Sequence, residues 1–222
     1  KRTNNSFNSE NIIISPGSKE MMFLLHLGFD GDILLPAPSW VSYEPHATIA
    51  GNKFHWLETS RENNWFPTTE QIEKKAKELK NKNIILILNS PNNPAGSNCK
   101  NLEEIAKIAK KYKIIILSDE IYTELTFDRE YRSISKYYPD GTIISSGLSK
   151  WCGAGGWRIG FFAVPKKLNS ILKMLKTLAS ESFTAVSSPI QIAAIEAFKG
   201  DHSEYLSKTT GILNGVGNYV YE

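Results

Sequence analysis

Two unbroken aliphatic runs constrain the fold of this chain more than any other feature. Neither Ile84–Leu88 nor Ile114–Leu117 contains a polar residue, whereas a strand with one face in water alternates apolar and polar residues. Between the runs, a predicted helix begins at Asn101, where Glu104 completes the pattern of a capping box. Covered strands linked by a helix predict an α/β fold, a three-layer α/β/α sandwich around a mostly parallel sheet.

Further strands and helices are predicted along the rest of the chain. Alternating or continuous apolar patterns predict strands at Asn11–Ser15, Asp32–Pro36, Gly51–Glu58, Thr142–Ser145 and Ile159–Val164. Helical periodicity predicts helices at Lys19–Leu27, Thr68–Asn81, Lys166–Leu178 and Ser187–Phe198, a polar loop at Ala179–Ser188 and helical structure in 201–222.

Composition and charge exclude several classes of protein. With 222 residues, of which 41% are hydrophobic and 22% charged, the chain has the size and composition of a soluble globular protein. Its net charge of +3 comes with dispersed lysines, so no nucleic-acid partner is expected. No membrane span or signal peptide is recognisable. Cys99 and Cys152 lack the spacing of a disulfide framework or a metal site, which favours the reducing cytoplasm.

The segment Ser145–Gly160 has the most chemical content. Lys150 follows a predicted strand, and a buried lysine with a lowered pKa can attack an aldehyde and hold it as a Schiff base. Arg158 lies where the chain turns back after a glycine-rich stretch, and its planar guanidinium suits a phosphate group. A surface lysine beside an ordinary glycine-rich turn fits this segment equally well.

Two other motifs are excluded in the same segment. A Ser-x-x-Lys acyl-transfer motif requires serine at the position of Gly147. The dinucleotide-binding pattern Gly-x-Gly-x-x-Gly starts at Gly153 and Gly155 but has Arg158 in place of its third glycine.

Polar and aromatic residues also follow the earlier predicted strands. Gly17, Ser18 and Lys19 lie at a strand-to-helix turn, where free backbone N–H groups and the helix dipole favour an anion. Trp40 and Tyr43 follow another strand, where an aromatic ring can stack on a flat heterocycle. An ordinary helix start and core aromatic residues would give the same patterns.

Asp119 and Tyr122 follow the second aliphatic run. A carboxylate that faces a pyridine nitrogen keeps it protonated, and a nearby tyrosine hydroxyl can bond the phenolic oxygen of the ring. The loop Asn89–Gly96 follows the first run at the strand end, where open α/β sheets place their ligands. An acidic pair after a strand can equally cap the next helix.

Four motifs at predicted strand ends resemble, in their order along the chain, those of the class I/II aminotransferases. That family belongs to the aspartate aminotransferase superfamily of fold-type I pyridoxal phosphate enzymes. The motifs are Pro16–Lys19, Asn89–Gly96, Ser118–Tyr122 and Ser149–Arg158. The resemblance implies that residues 1–222 are the large, pyridoxal 5'-phosphate-binding domain, with an antiparallel strand in its sheet. The family's N-terminal arm and C-terminal small domain are then missing from the chain. Amino acids and 2-oxo acids are the implied substrates, and a homodimer is the implied full-length assembly.

The resemblance also implies a role for each matching residue. Lys150 becomes the Schiff-base lysine and general base, Asp119 the partner of the pyridine nitrogen, and Trp40 the ring that stacks on the cofactor. The expected ligands of the phenolic oxygen are Asn93 and Tyr122, and those of the phosphate are Gly17, Ser18, Lys19 and Arg158. The family often has a phosphate-binding serine where this chain has Gly147, so Ser146 or Ser149 is expected to replace it.

The same resemblance leaves the reaction open. The arginine that binds the substrate carboxylate lies in the family's C-terminal segment, and Ser180–Ser188 lacks the second arginine of dicarboxylate specialists. A β-lyase or an aminocyclopropane-carboxylate-type synthase has the same fold. A further alternative is the aminotransferase-like domain of a transcription regulator, which would have a winged helix before Lys1.

Overall fold

One mixed sheet forms the centre of the computed structural model, which describes residues 7–80, 82–128 and 130–221. Its strands are β1 (Ile12–Ser15), β2 (Asp32–Ala37), β3 (Lys53–Glu58), β4 (Ile84–Asn89), β5 (Ile115–Asp119), β6 (Thr142–Gly147) and β7 (Gly160–Ala163). Their order is β1-β7-β6-β5-β4-β2-β3, and every neighbouring pair is parallel except the two that contain β7. The sheet confirms the predicted α/β fold and its antiparallel strand.

Helices cover both faces of this sheet. On one face lie α1 (Ser18–Gly28), α2 (Tyr43–Ala50) and α5 (Asn169–Ser182), and on the other lie α3 (Thr69–Glu78) and α4 (Leu102–Lys111). A smaller apolar cluster around Trp151 takes side chains from α6 (Ser188–Lys199) and α7 (Ser203–Tyr221). The three-layer sandwich is therefore confirmed. Over the described ranges, no helix has the length and apolar character needed to span a bilayer.

The alternation of side chains in β4 explains why the first aliphatic run contains no polar residue. Ile85 and Ile87 point into the cluster under α1, α2 and α5, whereas Ile84, Leu86 and Leu88 point into the cluster under α3 and α4. Fully burying an aliphatic side chain of this size stabilises the fold by about 1.5–3 kcal/mol. Both faces of the strand are thus core, and the helices on either side follow from that pattern.

Two local predictions about helix ends were wrong. Asn101 does precede α4, but its side chain forms no capping bond, because it donates to the Pro67 carbonyl at 3.3 Å and accepts from Cys99 Sγ at 3.2 Å. The predicted loop at Ala179–Ser188 begins only after Ser182, because Leu175 and Ala179 extend the buried face of α5. Asn81, the predicted end of α3, lies outside the described residues.

A close backbone contact fixes the start of α1 against β7. A Cβ atom at Gly160 would lie 2.3 Å from Ser18 N and 2.8 Å from the Gly17 carbonyl carbon. Both contacts are to backbone, which cannot move aside as a flexible side chain can. Glycine at this position therefore sets the distance between the helix start and the sheet.

Replacement of Gly160 by alanine should destabilise the protein by about 2 kcal/mol or more, because the added methyl group overlaps backbone atoms. Gly156→Ala is the matched control, since a Cβ there meets nothing within 4 Å. It should change the free energy of unfolding by less than about 0.5 kcal/mol. Denaturant unfolding of both variants measures the difference, and equal stabilities would contradict the contact.

Candidate active site

The register of the sheet brings several strand ends to one edge. Gly160 at the start of β7 pairs with Ser15 at the end of β1 and with Gly147 at the end of β6. Asn89 and Asp119 likewise pair at the ends of β4 and β5. A cavity of about 210 Å³ lies at this edge. It is lined by Gly17, Ser18, Lys19, Trp40, Tyr43, Asn89, Asn93, Asp119, Ile121, Tyr122, Ser149, Lys150, Gly155 and Arg158.

Ser146 is the one candidate residue that the structure separates from the others. It lines a second cavity of about 790 Å³, together with its strand neighbour Ile144. Successive strand side chains point to opposite faces, so Ser146 points away from the face that carries Ile143. A serine at Gly147 would place Cβ 2.8 Å from the Ile159 carbonyl oxygen. The structure therefore does not bring Ser146 to the first cavity, and of the two serines only Ser149 lines it.

The start of α1 lies at one end of the cavity. Gly17 precedes the helix with a φ of 95°, and no side chain within the described residues caps this end. Arg158 lies against it, donating from Nη2 to the Pro16 carbonyl at 2.9 Å and from Nη1 to the Gly155 carbonyl at 2.7 Å. The guanidinium occupies the space that a Cβ of residue 17 would need, with Nη2 2.2 Å from that position. Helix dipole, free N–H groups and guanidinium together suit a phosphate.

The Asp119 carboxylate is buried at the base of the cavity. Its Oδ2 accepts a hydrogen bond of 2.7 Å from the Tyr43 hydroxyl, and its Oδ1 accepts one of 3.3 Å from the Ile121 amide. Burial raises the pKa of Asp119 to about 6, although these two bonds and the charge of Lys150 limit the rise. The carboxylate is therefore mostly ionised at neutral pH, and a buried negative charge favours a positively charged group beside it.

Asn93 and Tyr122 lie next to each other in the same cavity. The Asn93 side-chain amide donates to the Tyr122 hydroxyl at 3.2 Å, and the Asn93 backbone amide donates to Asn89 Oδ1 at 2.7 Å. Asn89 also donates to the Asp119 carbonyl at 2.9 Å. These hydrogen bonds tie the loop after β4 to the end of β5. The Asn93 amide and the Tyr122 hydroxyl therefore lie close enough together to bond one ligand atom.

Lys150 differs from expectation, because its side chain is exposed rather than buried. It follows β6 in a turn and lines the cavity, and its Nζ lies 5.6 Å from the centre of the Tyr122 ring. Lys19 is also exposed, with Nζ 5.3 Å from the centre of the Trp40 ring. Both amines can reach a ligand in the cavity without displacing core side chains.

Tyr43, Asn89 and Ile121 were not predicted as site residues. Tyr43 was recognised only as an aromatic residue near a helix start, and the structure shows its hydroxyl holding Asp119. Asn89 and Ile121 act through hydrogen bonds that depend on the pairing of β4 with β5. The one available signal was their position beside predicted site residues at strand ends.

Two buried histidines lie behind the Trp40 ring. The rings of His26 and His46 are 5.7 Å apart, and that of His46 is 6.4 Å from Trp40. His26 Nε2 and His46 Nδ1 have no hydrogen-bond partner among the described residues. Burial, together with the charges of His26 and Lys19, lowers the pKa of His46 to about 4. The pair is therefore neutral at physiological pH.

The family model for aminotransferase class I and II matches residues 1–221 of the chain. The chain belongs to this family. The predicted resemblance is thereby confirmed.

Curated and structural relatives of this class I and II aminotransferase chain agree with that assignment. A probable aspartate/prephenate aminotransferase of Rickettsia typhi is 36% identical over 211 residues, which cover 90% of this chain and 51% of the relative. Aspartate aminotransferase from Thermus thermophilus with maleate has a TM-score of 0.82 and 27% identity, over 95% of this chain and 54% of that one. Aromatic aminotransferase from Pyrococcus horikoshii has a TM-score of 0.83 and 28% identity, over 94% and 57%. The chain spans about half the length of the curated relatives it matches.

Replacement of His46 by phenylalanine should flatten the acid side of the stability profile of this aminotransferase chain. The pKa of folded His46, about 4, lies below its unfolded value of 6.5. Neutral His46 therefore makes its full contribution to the free energy of unfolding above the unfolded pKa of 6.5. That contribution is lost as the pH falls from 6.5 towards the folded pKa of about 4, by roughly 3 kcal/mol at most. Urea unfolding of wild type and His46→Phe across this range measures the difference. Parallel profiles would contradict a neutral buried His46.

Replacement of Asp119 by asparagine should stabilise the protein without ligand. The folded pKa of Asp119, about 6, lies above the ordinary value of 3.8, so stability is lost as the pH rises through that window. At about pH 7.5 the variant should gain roughly 1–3 kcal/mol, and the gain should vanish below about pH 4. Thermal unfolding at both pH values checks this, and a pH-independent effect would contradict it.

Proposed function

We propose that the protein containing this chain is a pyridoxal phosphate-dependent aminotransferase, which moves an amino group between an amino acid and a 2-oxo acid. The observation that carries this proposal is the meeting of three groups in one cavity. Lys150 supplies an amine, the start of α1 with Arg158 supplies an anion site, and Asp119 supplies a buried negative charge. Pyridoxal phosphate presents an aldehyde, a phosphate and a ring nitrogen that match these groups in kind.

Each residue of the cavity would have a separate role in such a reaction. When bound, pyridoxal phosphate supplies an aldehyde that reacts with amines and a ring that accepts electrons. Lys150 would hold the aldehyde carbon through Nζ, with the aldehyde oxygen lost as water, and, once the substrate amine has displaced it, would move a proton at the substrate α-carbon. Asp119 would keep the proton on the ring nitrogen, and Trp40 would pack against the ring. Asn93 and Tyr122 would bond the ring oxygen, and the phosphate would be held by Gly17, Ser18, Lys19, Ser149 and Arg158.

The names of the relatives favour transamination over the lyase, synthase and regulator alternatives. They describe aminotransferases of aspartate, prephenate and aromatic substrates. Amino acids with an acidic or aromatic side chain and the matching 2-oxo acids are therefore the substrates to assay first. An assay of the full-length protein against a panel of both kinds would identify the substrate pair.

The assembly and the compartment are proposals on the same basis. Residues 1–222 form the cofactor-binding large domain, to which the complete enzyme adds an N-terminal arm and a C-terminal small domain. We expect that enzyme to be a homodimer. Cys99 and Cys152 are free thiols, which supports the cytoplasm as its compartment.

Chemical trapping tests the proposal directly. Full-length protein incubated with pyridoxal phosphate should absorb in the visible region, and borohydride should fix the cofactor on Lys150. Peptide mapping by mass spectrometry locates the modified lysine, and Lys150→Ala should lose both signals. Trapping on Lys19 instead, or on no lysine, would contradict the proposal.

Residues 1–222 alone should not transaminate at a useful rate. The arginine that clamps the substrate carboxylate in the family is not among them, and losing a group that orients the substrate forfeits on the order of several kcal/mol of the catalytic advantage. Turnover and pyridoxal phosphate binding should be measured on these residues and on the full-length protein in parallel. Comparable turnover would place the carboxylate clamp within this chain, against the proposal.

A further inference from the structure

The carboxylate of Asp119 is held by two donors from different elements. The Tyr43 hydroxyl bonds Oδ2 at 2.7 Å, and the backbone amide of Ile121 bonds Oδ1 at the longer distance of 3.3 Å. The hydrogen bond from Tyr43 is therefore the shorter of the two, and it comes from a side chain. A substitution at residue 43 can remove this hydrogen bond without altering the backbone.

Packing fixes the direction of the Tyr43 hydroxyl. The side chain is 1% exposed and belongs to the core cluster under α1, α2 and α5. Its ring meets the Trp40 ring edge-on, with centres 5.4 Å apart. The ring is thus immobilised by apolar contacts, and a phenylalanine at this position would keep those contacts while losing only the oxygen.

The proton of the Tyr43 hydroxyl stays on the tyrosine. Burial and the charge of Asp119 raise the pKa of Tyr43 well above its ordinary value. Tyr43 is therefore a permanent donor, and a donor to a carboxylate favours its ionised form. The other titratable groups around Asp119 in the described chain are Lys150 and Tyr122 in the cavity and Glu120 on the opposite face of the sheet.

From this geometry we propose that Tyr43 is a positioning residue, which holds Asp119 ionised and in place so that the ring nitrogen of the cofactor keeps its proton. The inference rests on the proposed function. The Tyr43 hydroxyl acts through its hydrogen bond to Asp119, and not through a bond of its own to the substrate or the cofactor.

The chain contains a matched control for this role. The Tyr131 hydroxyl donates to Glu120 Oε2 at 2.5 Å, and Glu120 directly follows Asp119. Tyr131 and Glu120 both line the second cavity, on the other side of the sheet from Asp119. Tyr131→Phe therefore removes the same kind of tyrosine–carboxylate bond one residue away, without touching the candidate cofactor site.

The test uses full-length holoenzyme loaded with pyridoxal phosphate that carries ¹⁵N in the ring. The ¹⁵N chemical shift reports the proton on that nitrogen across a pH titration. Tyr43→Phe should weaken the protonation by roughly tenfold, which lowers the titration midpoint by about one pH unit, because a charge-assisted hydrogen bond is lost. Tyr131→Phe should titrate like the wild type. Identical midpoints in all three proteins, or an equal shift in both variants, would overturn the proposal.

A second variant covers the case in which Tyr43→Phe does not fold. Fluorotyrosine at residue 43 keeps the packing and is a stronger donor, so it should raise the midpoint rather than lower it. In steady-state assays Tyr43→Phe should reduce kcat with little change in KM, because Tyr43 does not touch the substrate. An unchanged or lowered midpoint with fluorotyrosine would contradict the inference. Wild-type protein that binds no cofactor would instead contradict the proposed function.

Discussion

The pairing of Gly160 with both Ser15 and Gly147 is the constraint on which the site depends. Because β7 runs against its neighbours, its start lies at the same edge of the sheet as the ends of β1 and β6. Because Gly160 has no side chain, the start of α1 approaches that edge so closely that a Cβ there would overlap Ser18 N at 2.3 Å. One backbone contact therefore fixes where the start of α1, the candidate anion site, lies against the sheet.

A second constraint is energetic, because the site keeps a buried charge that the fold alone would not favour. Burial raises the pKa of Asp119, and the hydrogen bonds from Tyr43 and Ile121 only partly offset that rise. Such groups are concentrated at functional sites, where a ligand supplies the missing counter-charge. A protonated ring nitrogen would supply it here. The neutral pair of His26 and His46 adds no positive charge behind Trp40 at physiological pH.

Much of this architecture could be predicted from the sequence. The unbroken runs of β4 and β5 require cover on both faces, and this requirement alone gives a layered α/β fold. Strand ends in such a fold converge, so Asp119, Lys150 and Arg158 could be grouped before any coordinates were known. Their spacing along the chain, together with the resemblance to a family, was sufficient for that step.

What could not be predicted depends on the direction of individual side chains. Ser146 faces away from the first cavity because of its place in β6, where a one-residue difference changes the face, whereas Ser149 lies in the turn after that strand. The bond from Tyr43 to Asp119 joins residues that are far apart in sequence and leaves no local pattern. The side chain of Asn101 bonds Pro67 and Cys99 instead of the helix start, and the partner at Pro67 comes from a distant part of the chain.

The central claim is that these strand ends form one pyridoxal phosphate site, and a crystal structure of the borohydride-reduced full-length holoenzyme tests it most directly. The account predicts continuous density from Lys150 Nζ to the cofactor, with the ring nitrogen within hydrogen-bond distance of Asp119. The phosphate should lie against Ser18 and Arg158. Density for the cofactor in the second cavity beside Glu120, or a phosphate remote from the start of α1, would contradict it.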